Sequence, residues 1–316
     1  MQKALQKLAQ FPAHPGGVNA VALALNSALV ATGGQDNKTC IWSIRKLQEK
    51  STPMMTLLGH SSPVTCVAFD QTEARVASGN VGGGLRVWDI SAGKSIKIFS
   101  AGIHHQAVSC LNFNANGQHL TTGSNDMSVK VWDMRHKQVV QSYKIHSNNV
   151  NTALFSPDGK YLFTGGEDGI CNVVDLGEGK VVKQFSHDGP INTIALHPLD
   201  LIMATGSSDR TSKVYDLSSF QIVASIPMDS TKIRSLQFCG DDGDVLCTGS
   251  EEAIKFWRWE KECNLQIQGN PNNYNSNINY NVMRKISRQY CSRARSKLLN
   301  LGKAEMVKFK KLIIPD

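Results

Sequence analysis

Long apolar runs are missing from this sequence. The best candidate, VALALNSALVA from Val21, is broken by Asn26 and Ser27 and falls short of the roughly 20 apolar residues a membrane-spanning helix needs. The opening MQKALQKLAQF has neither the apolar core nor the small-residue cleavage site of a secretory signal. Cysteine is sparse: eight residues, at 40, 66, 110, 171, 239, 247, 263 and 291, with no CxxC pair. Several fall in apolar runs such as VTCVAF and VSCLNF, where cysteine acts as a small hydrophobe. No disulfide framework, zinc site or other metal site is expected, and a reduced, cytoplasmic setting is. The metalloprotease HExxH and the hydrolase GxSxG are also absent. AGKS, Ala92 to Ser95, is not a phosphate loop, because Trp88 stands where that pattern needs glycine. No cofactor is expected.

Acidic residues are scarce in one region. Residues 284–316 hold ten Lys or Arg against two acids, out of 34 and 26 in the whole chain, so the first 283 residues balance at zero. The basic stretch has a single aromatic in its helical part, Tyr290, and no nucleic-acid motif, which argues against nucleic-acid binding.

What is present is a repeat. TGGQDNKTCIWS, SGNVGGGLRVWD, TGSNDMSVKVWD, TGGEDGICNVVD, TGSSDRTSKVYD and TGSEEAIKFWR begin at Thr32, Ser78, Thr122, Thr164, Thr205 and Thr248. Their anchors, Trp42, Trp88, Trp132, Val174, Tyr215 and Trp257, lie 46, 44, 42, 41 and 42 residues apart. His14, His60, His104, His146 and His187 each precede the anchor of their repeat by 28 residues. Each repeat reads as four strands: an inner apolar run (VTCVAF, VSCLNF, VNTALF, INTIAL, IRSLQF), a second ending in the Ser/Thr-Gly phrase, a third carrying the anchor, and an exposed fourth.

A period near 42 that ends in a Trp-Asp-like pair resembles the WD40 family. The resemblance covers His14 to about Glu260 and implies an all-β propeller with six recognisable blades, a seventh being degenerate or missing. It also implies ring closure by the N-terminal strand, here LAQF, within residues 5–11. The predicted organisation is a propeller over residues 1–265, an Asn-rich linker over 266–281 and a basic, partly helical tail over 282–316. KECNLQIQ is a candidate outer strand for blade six.

Histidine, Ser/Thr and Asp in one neighbourhood could form a nucleophilic triad. An active site is made once, whereas this set recurs in blade after blade. The WD40 resemblance implies a buried network: indole to hydroxyl, hydroxyl to imidazole, imidazole to carboxylate. By position this assigns His14, Thr32, Asp36 and Trp42 to the first blade. His104, Thr122, Asp126 and Trp132 fall in the third, and His187, Thr205, Asp209 and Tyr215 in the fifth. The fourth has His146, Thr164 and Asp168, but Val174 supplies no donor. The second has Gly82 in place of the Asp. The sixth has Ser230 at the histidine position and a turn one residue short. No enzyme is expected.

Finer features resemble the non-catalytic WD40 subunit of katanin, a microtubule-severing complex: KLAQFPAHPGGVNAVAL, HPLDLIMATGSSDRTSKVYDLSSFQIVASI and the short-turned EEAIKFWRWE. That resemblance implies a targeting subunit for a catalytic AAA ATPase, located on microtubules, spindle poles, centrosomes or basal bodies. The resemblance also implies a C-terminal helical domain that binds the ATPase, and no such domain is expected within the residues up to Asp316. Candidate contacts are Gln35, Asn125, Glu167, Ser208 and Arg210 on the propeller rim. On the tail they are Arg284, Lys285, Arg288, Arg293, Arg295 and Lys297, which suit acidic tubulin tails. Two other readings stand beside this one: a general centriolar or ciliary scaffold, and a substrate adaptor of a cullin-RING ubiquitin ligase, suggested by the WDxR-like Trp132–Arg135.

Overall fold

The computed structural model describes residues 10–24, 26–46, 52–99, 104–136, 138–227, 231–240 and 243–258. It contains six antiparallel sheets in chain order. Blade one is β1 (Val18–Ala24), β2 (Leu29–Gly34), β3 (Thr39–Ser43) and β4 (Met55–Leu57). Blade two is β5 (Val64–Phe69), β6 (Arg75–Asn80), β7 (Leu85–Asp89) and β8 (Lys94–Phe99). Blade three is β9 (Val108–Phe113), β10 (His119–Ser124), β11 (Val129–Asp133) and β12 (Gln138–Tyr143). Blade four is β13 (Val150–Phe155), β14 (Tyr161–Gly166), β15 (Ile170–Asp175) and β16 (Lys180–Ser186). Blade five is β17 (Ile191–Leu196), β18 (Ile202–Ser207), β19 (Thr211–Asp216) and β20 (Gln221–Pro227). Blade six has three described strands, β21 (Ile233–Cys239), β22 (Val245–Ser250) and β23 (Ile254–Arg258). The architecture is the all-β propeller that the repeat implies.

Each sheet is a meander in which consecutive strands pair. Turns such as SPDGK, from Ser156, make this possible: Gly159 takes a φ of 73° and its N–H bonds the Ser156 carbonyl. The second strands are the most buried, as LTTGS of β10 shows, because both faces lie against neighbouring blades. Fourth strands alternate exposed and half-buried residues, as in β12.

The core is a chain of interblade layers. The anchor of one blade packs on the fourth strand of the blade before it. Trp88 shares a cluster with Leu57, Trp132 with Phe99, and Tyr215 with Phe185. The Phe99 and Trp132 rings lie 4.8 Å apart, edge on, and those of Phe185 and Tyr215 lie 4.2 Å apart. Trp42 has a partner of the same kind in Phe11, 4.7 Å away.

Two inner strands break the expected pattern: β21 is exposed at Arg234, Ser235 and Gln237, and β1 on apolar residues. β9, β13 and β17 are buried or half-buried throughout, whereas Val18, Val21 and Leu23 of β1 are exposed. The proposed closing strand at residues 5–11, the outer strand KECNLQIQ, the linker and the basic tail lie outside the described residues, apart from Gln10 and Phe11. Those two are not in a strand.

Candidate functional site: the blade networks and the rim

The repeated polar set comes together in the geometry of a fold device. In blade three, Trp132 Nε1 donates to Thr122 Oγ1 at 2.8 Å, and Thr122 Oγ1 lies 2.7 Å from His104 Nε2. His104 Nδ1 lies 3.0 Å from Asp126 Oδ2. A carboxylate only accepts, so Nδ1 carries the proton and Nε2 accepts from the threonine. Blade one repeats this with His14, Thr32, Asp36 and Trp42, each link being 2.8 Å. Blade four links His146 to Asp168 at 3.0 Å and to Thr164 at 2.9 Å. Blade five links His187 to Asp209 at 2.9 Å and to Thr205 at 2.7 Å. All five histidines are buried.

Electrostatics support a static role. Burial lowers the His104 and His187 pKa values, against the pull of Asp126 and Asp209, so both rings stay neutral. Burial works against the charge on Asp126, but hydrogen bonds from Ser128 and the His105 N–H, together with His104, outweigh it and hold the carboxyl well below its usual range. In blades one and three the indole, hydroxyl and both imidazole nitrogens are all occupied inside the blade. A serine or threonine bonded on one side by an indole and on the other by an imidazole has no path to a substrate.

The sequence reading missed several members. Ser128 and Thr211 follow the aspartates by two residues and donate to them, at 2.5 Å and 2.7 Å. In blade two, where Gly82 holds the Asp position, Asn80 does the work from the strand end: its Nδ2 donates to His60 Nδ1 at 2.9 Å. The Asn80 orientation is fixed by Gly84 N–H donating to its Oδ1 at 2.8 Å. The His60 proton therefore sits on Nε2 and goes to Ser78 Oγ, 2.7 Å away, which also accepts from Trp88 Nε1 at 2.9 Å. Blade two uses the opposite tautomer from its neighbours. Burial, with Arg86 adding to it, pushes the His60 pKa down to about 4. In blade four, buried Asn172 brings its amide 3.3 Å from His146 Nε2, beside the donorless Val174. In blade five, the buried Tyr215 hydroxyl makes no hydrogen bond of good geometry, and only the nearby Thr205 hydroxyl opposes the effect of its burial, so the phenol fills the volume of the indole without fully taking its donor role. In blade six, Trp257 Nε1 donates to Thr248 Oγ1 at 3.0 Å. Ser230 lies outside the described residues.

The rim candidates occupy one equivalent position per blade. The N–H groups of Gln35, Asn125, Glu167 and Ser208 bond the carbonyls of Gly17, Ala107, Asn149 and Pro190, each three residues after its blade's histidine. Gln35 and Arg210 are exposed, whereas Asn125, Glu167 and Ser208 are half-buried. Ser208 accepts from Asn192 at 3.0 Å, and Gln35 donates to Asn19 at 3.2 Å. Arg210 holds a φ of 69° at the tip of its turn, matching Asn37, Gly83, Met127 and Gly169 in the other blades. The network thus fixes a set of turns that present side chains on one rim. The tail candidates Arg284, Lys285, Arg288, Arg293, Arg295 and Lys297 lie outside the described residues.

The family model described as "WD domain, G-beta repeat" matches residues 5–43, 51–89, 93–133, 137–175 and 179–216. Among curated proteins, ROOT INITIATION DEFECTIVE 3 of Arabidopsis thaliana is 27% identical over 266 residues, covering 77% of this chain and 58% of that protein. Autophagy-related protein 16 of Arabidopsis thaliana is 23% identical over 255 residues, 79% of this chain and 49% of that protein. Katanin p80 WD40 repeat-containing subunit B1 of Danio rerio is 38% identical over 81 residues, 25% of this chain and 11% of that protein. The chain spans little more than half the length of the first of these relatives and less of the others.

Proposed function

This chain belongs to the WD-domain, G-beta repeat family, and from that premise we propose that it is a non-catalytic scaffold that binds protein partners through the propeller rim. The observation that carries the reading is the repeated network itself. It uses the chain's catalytic-looking residues to stiffen each blade and leaves a row of fixed turns as the variable surface. Rigid turns lower the ordering cost of binding.

The finer reading is a targeting subunit of a katanin-type microtubule-severing complex, with ATP hydrolysis in a partner AAA ATPase. Its support is the similarity to the katanin p80 subunit, the highest identity among the three relatives but over a quarter of the chain. The basic segment from Arg284 to Lys311 adds to it, since ten cationic side chains against one acid suit acidic tubulin tails. Such a contact is salt-sensitive, because exposed charges are screened beyond about 8 Å at physiological ionic strength. Co-sedimentation of the full chain with microtubules, at low and high salt and beside a 1–283 truncation, tests it. The expected result is pelleting at low salt that both salt and the truncation reduce; equal pelleting of both chains ends the electrostatic role. A pull-down that returns a severing ATPase supports the complex. One that returns cullin-RING components favours the adaptor reading, for which Arg135 stands exposed just after β11.

A further inference from the structure

The fourth strands of the blades form a belt of sheet edges. Each pairs with the third strand on one side, and among the described residues no strand pairs its other side. Such an edge offers N–H and C=O groups to any second strand, and native proteins guard it with lysines, shortness or bulges. β4 is guarded by its length of three residues.

β8, β12, β16 and β20 share a bulge. The register passes over Ile96, Val140, Val182 and Val223, one β-branched residue in each strand. These four are 41%, 52%, 44% and 49% exposed. What flanks them differs. In β8 the bulge residue lies between Lys94 and Lys97, and in β16 between Lys180 and Lys183. β12 has glutamines at those two places and is bracketed by Lys137 and Lys144. β20 has Gln221 and Ala224 there, and no Lys, Arg or His occurs from Val214 to Thr231.

The residue before the bulge differs as well. Ser95, Val139 and Val181 are half-buried, whereas Ile222 is 55% exposed. β20 therefore shows Gln221, Ile222 and Val223 to solvent in succession, while Ala224 and Ile226 pack into the layer between blades five and six. Its edge is long, apolar and without the charges that guard the others.

We propose that β20 pairs antiparallel with β20 of a second copy, joining two fifth blades into one continuous sheet around a two-fold axis. A neutral strand meets its own image with no like charges opposed, which the lysines of β8 and β16 would not allow. Pairing covers Ile222 and Val223 of both copies. The contact also closes, because β19 already holds the other edge of β20, so it yields a dimer and not a fibre. Two short strands bury less than the roughly 1,600 Å² of a standard interface, so the dimer is weak and concentration-dependent. Such a dimer carries two rims and holds a partner with repeated epitopes more tightly than one rim does. That consequence rests on the rim reading; the dimer itself does not.

The test is sedimentation velocity of the full chain over a concentration series, beside Val223→Lys and, as reference, Val140→Lys. Both substitutions fall on exposed bulge residues, and circular dichroism verifies that both variants fold. Expected is a reversible dimer that Val223→Lys weakens by about tenfold or more and Val140→Lys leaves unchanged. Hydrogen exchange of the parent across residues 221–226 should slow as concentration rises. A chain that stays monomeric overturns the proposal, and protection of 221–226 at every concentration would then assign the edge to another segment of the same chain. A dimer that the two substitutions weaken equally, or that neither weakens, also overturns it, since the contact then lies elsewhere.

Discussion

Blades three and six are built from the same phrase and differ in how much of it is wired together. In blade three, Trp132, Thr122, His104, Asp126 and Ser128 form a closed hydrogen-bonded set in which the tryptophan is almost wholly buried. In blade six the indole reaches Thr248, and Trp257 is only half-buried. The difference teaches that the anchor does two jobs. Its bulk fills the interblade layer, which both blades use. Its N–H orders the polar set beneath, which a blade exploits when it has the histidine and an Asp, or in blade two an Asn, to hold that histidine. Blade three is predicted to be a stiff element and blade six a soft end.

Removing bulk should separate the two most. Trp132→Ala deletes a buried ring from the layer shared with Phe99 and leaves Thr122 Oγ1 without its indole donor. The expected cost is about 3–5 kcal/mol. Trp257→Ala should cost roughly 1–2 kcal/mol, since part of its surface stays exposed in the native protein. Urea melts of both variants check this, and equal midpoint shifts would erase the contrast.

Next in size is the carboxylate. Asp126→Ala strips the acceptor from His104 Nδ1, Ser128 and the His105 N–H, at a cost of about 1–3 kcal/mol. Glu178→Ala, on an exposed turn, should stay within about 0.5 kcal/mol of the parent. The Asp126 contribution has a pH sign. Its folded pKa is depressed, so the stabilisation is complete above its ordinary value of 3.8 and is lost as pH falls below that toward the folded value. Loss of the acid sensitivity that Asp126 contributes, seen as a shallower acid limb in the Ala variant, confirms the sign.

These residues also show how far the sequence alone could be read. The histidines, hydroxyls, aspartates and anchors stand at fixed spacings, and the structure joins them as those spacings imply. Asn80 and Asn172 escaped because they act from places off the register, 20 and 26 residues after their histidines instead of 22. A periodic pattern shows the residue that is missing at Gly82, not the one that covers for it. Ser128 and Thr211 looked like ordinary turn residues, since Ser and Thr favour turns anyway. The exposure of β1 was hidden for another reason: VNAVALA has the apolar pattern of an inner strand, and a pattern cannot say whether a neighbour is present on each side.

A smaller effect distinguishes blade two from blade three. Asn80 donates where Asp126 accepts, so His60 is protonated on Nε2 and His104 on Nδ1. Nitrogen chemical shifts should report opposite tautomers for the two rings. His60 has its folded pKa lowered from 6.5 to about 4. The stability it confers is therefore complete above 6.5 and declines as pH falls toward 4, because the unfolded chain takes up the proton first. Asn80→Asp should flip the tautomer and raise the His60 pKa by about one unit or more. An unchanged titration would show that Asn80 does not set the proton.

The smallest effect is expected in blade five. Tyr215 stands in the anchor position, its ring packed 4.2 Å from Phe185 and its hydroxyl buried with no hydrogen-bond partner. Burial pushes the phenol up to about 12 against the weaker opposing pull of the nearby Thr205 hydroxyl, which keeps it neutral. A buried polar group without a partner stabilises nothing and carries a desolvation cost of about 1–3 kcal/mol. Tyr215→Phe keeps the ring, the layer and the Thr205–His187–Asp209 chain. It should leave stability within about 0.5 kcal/mol of the parent or raise it, whereas Trp132→Phe, which removes a donor in use, should destabilise by about 1 kcal/mol or more. If Tyr215→Phe costs as much as Trp132→Phe in the same melt, the phenol has a partner in solution, and blade five is wired like blade three.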